Sequence, residues 1–308
     1  MLSQNTYTKT MKKLQGHLAL LGANIMWGLM APLGKDLLNG GVIPPLTLAA
    51  MRIVCAAALF WACSLLTPAS VIPKEKIALG DWGRLLMASL LVISGNQVLV
   101  ILGLGLASPI DGAIVCSSTP IFCLVMSALI YATRVSWLQM VGVAMGFAGM
   151  LMFVFGSASD TAIHADNPML GDSLCIVAQV CGALYLVLFT DLFQRYSPFT
   201  LMKWMFLFSA VLMAPLGIIG LDTIPWHEMT TAMWTELGYV ILCATFLAYL
   251  LLPIGQKHVS PTTVAVYNYL QPVAAVVYSI VFGLATMTAI TMLASALIIM
   301  AVYVVSRK

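Results

Sequence analysis

Runs of around 20 apolar residues recur along the whole of this chain, each long enough to cross a bilayer core as a helix. Apolar side chains fill 61% of the 308 positions and charged ones only 8%, more apolar surface than a water-soluble fold of this length hides. Membrane β-strands would alternate in polarity. These runs do not, so the backbone must satisfy its own hydrogen bonds within helices. The chain is expected to be an all-α membrane protein of about ten transmembrane helices, over 16–36, 43–66, 83–105, 109–131, 136–156, 170–193, 199–220, 236–255, 261–283 and 287–305. The first run follows Lys9, Lys12 and Lys13, as a signal peptide would. Its length, and the nine runs after it, make it a retained helix.

Charge sorts by side. With ten spans, both tails and the even-numbered loops share one face, which carries Lys9, Lys12, Lys13, Lys74, Lys76, Arg84, Arg134, Arg195, Lys257, Arg307 and Lys308. The opposite face has only Lys35, and its longer loops, 157–169 and 221–235, hold Asp160, Asp166, Asp222 and Glu228. The positive-inside rule then puts both termini in the cytoplasm, with the protein multi-pass in a plasma membrane, the inner membrane of a bacterial-type cell. One span more or fewer would scramble this segregation.

The chain also repeats itself. Pro120 and Pro272 stand 152 positions apart, and the same offset pairs Ser108-Pro109 with Ser260-Pro261, Gly103 with Gly255, and Ser136 with Thr288. Earlier in the halves the offset drifts, matching Pro45-x-Thr47-Leu48 to Pro198-x-Thr200-Leu201 and Gly16 to Gly171. The expected organisation is a basic cytoplasmic tail at 1–15, a first five-helix repeat at 16–156, an external loop at 157–170 and a second repeat at 171–308. Five is odd, so the second repeat enters the membrane inverted, and two such halves around a central cavity suit alternating access.

These motifs carry a resemblance. Asn24-x-x-Trp27-Gly28, the stretch from Pro45 to Arg52, and Ser108-Pro109 through Pro120 with its copy Ser260-Pro261 through Pro272 resemble the drug/metabolite transporter superfamily, specifically its EamA-type ten-helix members. The order of the motifs over nearly the whole chain is more specific than any one of them. The resemblance implies EamA-like repeats and a secondary transporter of small organic metabolites such as amino acids, working outward. This chain departs from the family where a Gly-Glu commonly follows the fourth and ninth spans: it reads Ala132-Thr133-Arg134 and Leu284-Ala285-Thr286.

Proline inside a helix removes a donor and frees the carbonyl four residues back, here those of Cys116 and Asn268 near mid-membrane. Such carbonyls are satisfied by a neighbouring helix or by a solute. At about 100° per residue, Tyr267, Asn268 and Gln271 share a face of the ninth span while Tyr269 points elsewhere. Asn24 and Trp27 share a face of the first span, and the repeat maps Asn24 onto Gln179. Gln97, beside Asn96, maps onto Tyr249, and Gln271 onto Thr119. The substrate-binding candidates are therefore Asn24, Trp27, Gln97, Thr119, Gln179, Tyr249, Tyr267, Asn268 and Gln271. Any one of these groups alone reads equally well as interhelical glue. As a set they suit a small amphipathic solute.

Arg52 and Asp111 form the candidate charge site, because ionisable residues at depth are functional by default. Arg52 either binds a substrate carboxylate or locks spans together through carbonyls and Asp111. Apart from Asp111 no deep acid is available for proton coupling, which keeps facilitated diffusion and exchange open beside it. No Walker motif occurs, so no ATP-binding subunit is implied. The seven cysteines lie in apolar segments without metal spacing. No catalytic residue, metal, cofactor or nucleic-acid partner is expected, and the expected partners are a small-molecule substrate and the lipid bilayer. Two substrate classes stay open: small metabolites, or hydrophobic drugs, for which the 20 methionines would give adaptable walls. An intramembrane enzyme would need a nucleophile or metal cluster at depth. A non-transporting receptor would leave the duplicated prolines without a purpose.

Overall fold

The computed structural model of the protein describes residues 2–33, 37, 42–68, 70, 72–106, 114–132, 134–156, 167–283 and 286–306. Helix α1 runs Leu2–Gly28, so the basic segment expected as a tail is helical. Among the described residues nine helices, α1 not among them, are long and apolar enough to cross a membrane, against about ten expected: α2 Pro45–Leu66, α3 Leu79–Leu104, α4 Ile114–Tyr131, α5 Trp137–Gly156, α6 Met169–Leu188, α7 Pro198–Leu221, α8 Thr231–Gln256, α9 Pro261–Val281 and α10 Ala289–Ser306. This is a multi-pass α-helical membrane protein, with no strand among the described residues. Boundaries differ from expectation at α6, which ends at Leu188 with Asp191 carried on a separate short helix, Thr190–Arg195, at α1, which ends at Gly28 against 36, and at α8, which begins at Thr231 against 236.

Local chemistry accounts for several helix starts. The hydroxyls of Ser197 and Ser260 accept from the N–H groups of Thr200 and Thr263, at 3.2 and 3.3 Å, and Pro198 and Pro261 follow in the first turn, where a missing N–H costs nothing. Thr230 caps α8 in the same way, accepting from Met233 N–H at 3.3 Å.

The helices pack in a pattern with an internal relation. Helix α5 lies along α10, α2 along α7, and α4 against α9. Helix α3 packs on α6 as α8 packs on α1, and α4 meets α6 as α9 meets α1. Exchanging α1 with α6, α2 with α7, α3 with α8, α4 with α9 and α5 with α10 leaves this set of neighbours unchanged. Close approaches follow the same rule. A Cβ on Gly103 would stand 2.8 Å from the carbonyl oxygen of Gly171, and one on Gly16 would stand 3.6 Å from that of Gly255. Small residues let these backbones meet where lipid provides no hydrophobic drive.

Two irregularities also recur. Wide π-helical turns occupy Leu90–Gly95 in α3 and Leu242–Leu247 in α8, 152 positions apart. The largest core cluster, which includes Phe60, Tyr185, Phe193 and Phe206, fills the space between these helices.

The basic face is tied by ions. Arg84 donates two 2.6 Å bonds to Asp191, and Arg195 reaches Asp191 and the buried Asp81 at 2.7 Å each. Tyr196 completes the group, donating to Asp81 at 2.8 Å. The Arg84 fork, joined by Arg195, holds the Asp191 carboxyl down at about 2. Lys203 extends its ammonium to Ser64 at 3.2 Å and over the rings of Trp61 and Trp204, 4.9 and 5.4 Å from their centres.

Candidate functional site

A cavity of about 440 Å³ lies where α1, α3, α4, α6, α8 and α9 converge, with Pro120 and Pro272 both in its wall. Each proline follows a break. Ahead of Pro120 the N–H groups of Ser117 and Ser118 bond back only three residues, to Ile114 at 3.2 Å and Val115 at 2.9 Å. Ahead of Pro272 a 3-10 turn spans Tyr267–Tyr269. Proline cannot supply the donor that would continue an α-helix, so the turn before it tightens.

Polar side chains from both halves meet around the breaks. Thr119 Oγ1 donates to Gln179 Oε1 at 2.5 Å, and Gln271 Nε2 donates to Asn24 Oδ1 at 3.1 Å. These are counterpart bonds, since Thr119 matches Gln271 and Gln179 matches Asn24 in the repeated sequence. Gln97 Nε2 donates to Tyr249 Oη at 3.2 Å, and these two positions are each other's counterparts. Trp27 donates from its indole nitrogen to the carbonyl of Ala244, 2.8 Å away in the π-helical turn of α8, and meets Tyr249 edge-on with ring centres 5.4 Å apart. In the same corner Arg52 Nε donates to Thr245 Oγ1 at 2.9 Å.

Of the residues expected from sequence, Trp27, Arg52, Gln97, Thr119, Gln179, Tyr249, Asn268 and Gln271 line the cavity. Asn24 does not reach it. Wholly buried behind Gln271, it also donates to the Leu20 carbonyl at 2.9 Å. Tyr267 turns away, its hydroxyl 2.9 Å from His17 Nδ1, and Tyr269 lines the cavity instead. This reverses the expectation, for a physical reason: a face drawn at the α-helical angle is misplaced across a 3-10 turn, where each residue advances by about 120°. Asp111 lies outside the described residues.

Tyr185 and Gly182 also line the cavity, and sequence reasoning did not select them. Gly182 had a signal. The offset that maps Asn24 onto Gln179 maps Trp27 onto Gly182, so the second half has no indole where the first has one. Tyr185, a lone tyrosine among apolar neighbours, had none. The seven cysteines carry free thiols, and among the described residues no group of three or more His, Cys, Asp or Glu comes together as a metal site would need.

A second cavity, of about 730 Å³, opens on the basic side and is lined by Lys13, His17, Arg134, Asp191, Lys257 and His258 among others. Burial, then the charges of Lys257 and Lys12, hold the His258 imidazole below its ordinary value. Hydrogen bonds link the walls of the two spaces. Tyr185, in the wall of the central cavity, donates at 3.2 Å to Gln256, in the wall of the basic one.

Comparison with known proteins agrees with this architecture. A model of the EamA-like transporter family matches residues 14–155 and again 169–307. A Bacillus subtilis (strain 168) protein, the uncharacterized transporter YyaM, is 23% identical over 273 residues, 89% of this chain and 88% of its own length. An uncharacterized transporter of Archaeoglobus fulgidus is 23% identical over 266 residues, 86% of this chain and 90% of its own. A solved crystal structure that covers 96% of both chains superimposes with a TM-score of 0.76 at 21% identity, a likeness of fold.

Proposed function

Because this chain belongs to the EamA-like transporter family, it is a membrane transporter, and we propose that it is a secondary carrier exporting small organic metabolites, amino acids among them. The observation that carries this reading is the central cavity, whose wall takes one broken, proline-marked helix from each half. Irregular backbone at membrane depth is tolerated where it lines such a space, and carriers build their sites from it.

The mechanism we propose is alternating access by two inverted five-helix repeats, 16–156 and 171–308. The interchangeable neighbours, the recurring π-helical turns and the counterpart hydrogen bonds support it. Two halves with the same contacts have two equivalent ways to pack, and exchanging them moves the opening from one side to the other. The side with Lys13, Arg134 and Lys257 faces the cytoplasm in this reading, with both termini there, in the plasma membrane of a bacterial-type cell. The outward direction comes from the family resemblance.

Trp27, Gln97, Thr119, Gln179, Tyr249, Asn268 and Gln271 are the proposed solute contacts, with Asn24 fastening Gln271 from behind. A gradient of the solute itself, or exchange, drives the cycle. Among the described residues of the cavity wall no Asp, Glu or His is present to take up a proton. Counterflow in proteoliposomes tests the reading. Vesicles loaded with unlabelled metabolites are expected to accumulate the matching labelled compound, and a protein that moves no member of a broad metabolite panel is not a carrier.

A further inference from the structure

We propose that the central cavity is an anion site, in which Arg52 binds the carboxylate of an organic solute of net charge −1. This deepens the carrier reading and rests on it. The guanidinium has five N–H donors, and among the described residues only the one on Nε is engaged, by Thr245 Oγ1 at 2.9 Å. No hydrogen bond or ion pair of its terminal nitrogens is found among the described residues, and the half-buried side chain lines the cavity. A charge removed from bulk water is costly unless it is paired. Other cations of the chain, though more exposed, have partners: Arg84 and Arg195 sit on carboxylates, and Lys203 rests on tryptophan faces near a helix end. Among the described lining residues of this cavity there is no acid, and the proposal assigns the carboxylate that completes the pair to the solute.

The position within the repeat argues against a mere fastener. The match of Pro45 to Pro198 equates Arg52 with Met205, which is buried in the core, and the 152-residue offset equates Thr245 with the buried Ile93. The second half builds the same corner without charge. A lone cation in a low-dielectric space attracts an anion, leaves a zwitterion with the cation's charge still unbalanced, and repels a lipophilic cation.

Three probes with one body and different charge test this: N-acetylphenylalanine (−1), phenylalanine (zwitterion) and phenylalanine amide (+1), titrated at neutral pH into the purified full chain in lipid nanodiscs. Wild-type protein is expected to bind the acid best and the amide worst. Arg52→Gln is expected to weaken acid binding by roughly ten- to a hundredfold, the effect of losing a charged hydrogen-bond partner, and to leave the amide unaffected or improved. Arg52→Lys, the milder change, should retain the order of charge preference with weaker acid binding. Asp111→Asn should leave acid binding unchanged, and a marked gain would mean that Asp111 already neutralises the guanidinium, which overturns the proposal. So would equal binding of acid and amide, no binding of any probe by wild type, or an Arg52→Gln variant that lowers thermal stability with the charge preference intact. If Arg52→Gln fails to fold, the wild-type series and Arg52→Lys decide. Protein that binds the acid but moves no metabolite in counterflow loses the carrier reading alone. Protein that moves metabolites with no preference for the acid loses the anion site alone.

Discussion

Two glycines of the cavity region separate packing from solute space. A Cβ on Gly28 would run into the backbone carbonyl oxygen of Gln271 and stand 2.9 Å from Ala274 Cβ, so α1 approaches α9 only because that side chain is missing. At Gly182 a Cβ would meet only Asn96 Nδ2 at 3.5 Å and Thr119 Cγ2 at 4.0 Å. Gly28→Ala is therefore expected to destabilise the fold by roughly 1–3 kcal/mol, as overpacking does, read as a lower melting temperature in detergent. Gly182→Leu, which grows into the cavity, is expected to abolish counterflow with the melting temperature nearly unchanged. Equal loss of melting temperature in both variants would refute the distinction. Trp27 and Gln271 do both jobs, since truncating either orphans a buried partner, the Ala244 carbonyl or Asn24. Transport loss in their alanine variants should come with a stability cost of about 1–3 kcal/mol. The polar set was legible in sequence because mid-membrane amides are conspicuous and the offset tied them in pairs. The choice between Tyr267 and Tyr269 was not, because it depends on a turn of different pitch that no residue pattern announces.

At the scale of helices and their ties, the basic face offers a test by pH. Asp191 is held at about 2 against an ordinary 3.8, so it binds fewer protons folded than unfolded. Its contribution is complete above the ordinary value and is lost as pH falls through 3.8 toward 2. Asp191→Asn is expected to lower stability near neutral pH by about 1 kcal/mol, since the site is half-exposed, and to flatten the acid limb of melting temperature against pH. An unchanged acid limb would remove Asp191 from the account. The spans themselves were written plainly: α5 occupies Trp137–Gly156 against an expected 136–156, and α7 Pro198–Leu221 against 199–220. Apolar length and Ser-Pro starts settle such limits. The separate helix carrying Asp191 was hidden, since the residues across its break remain apolar enough to read as one span.

For the whole molecule, the exchange of packings proposed above makes the Tyr185–Gln256 contact a seal toward the basic side. Tyr185→Phe together with Gln256→Leu should loosen it, and the cavity thiol of Cys116 should then react faster with a membrane-impermeant reagent added on that side. No change in rate would locate the barrier elsewhere. Counterpart positions were legible from the paired prolines, yet the pairing of Thr119 with Gln179 required the packed helices, because sequence gives counterparts and not contacts. Among all these bonds, the one between Gln97 and Tyr249 alone joins a position to its own counterpart. It belongs to the axis of exchange, and in the proposed cycle each conformer inherits the same bond with its ends relabelled. Removing it should therefore burden both conformers alike, leaving their relative occupancy untouched while the protein as a whole becomes easier to melt.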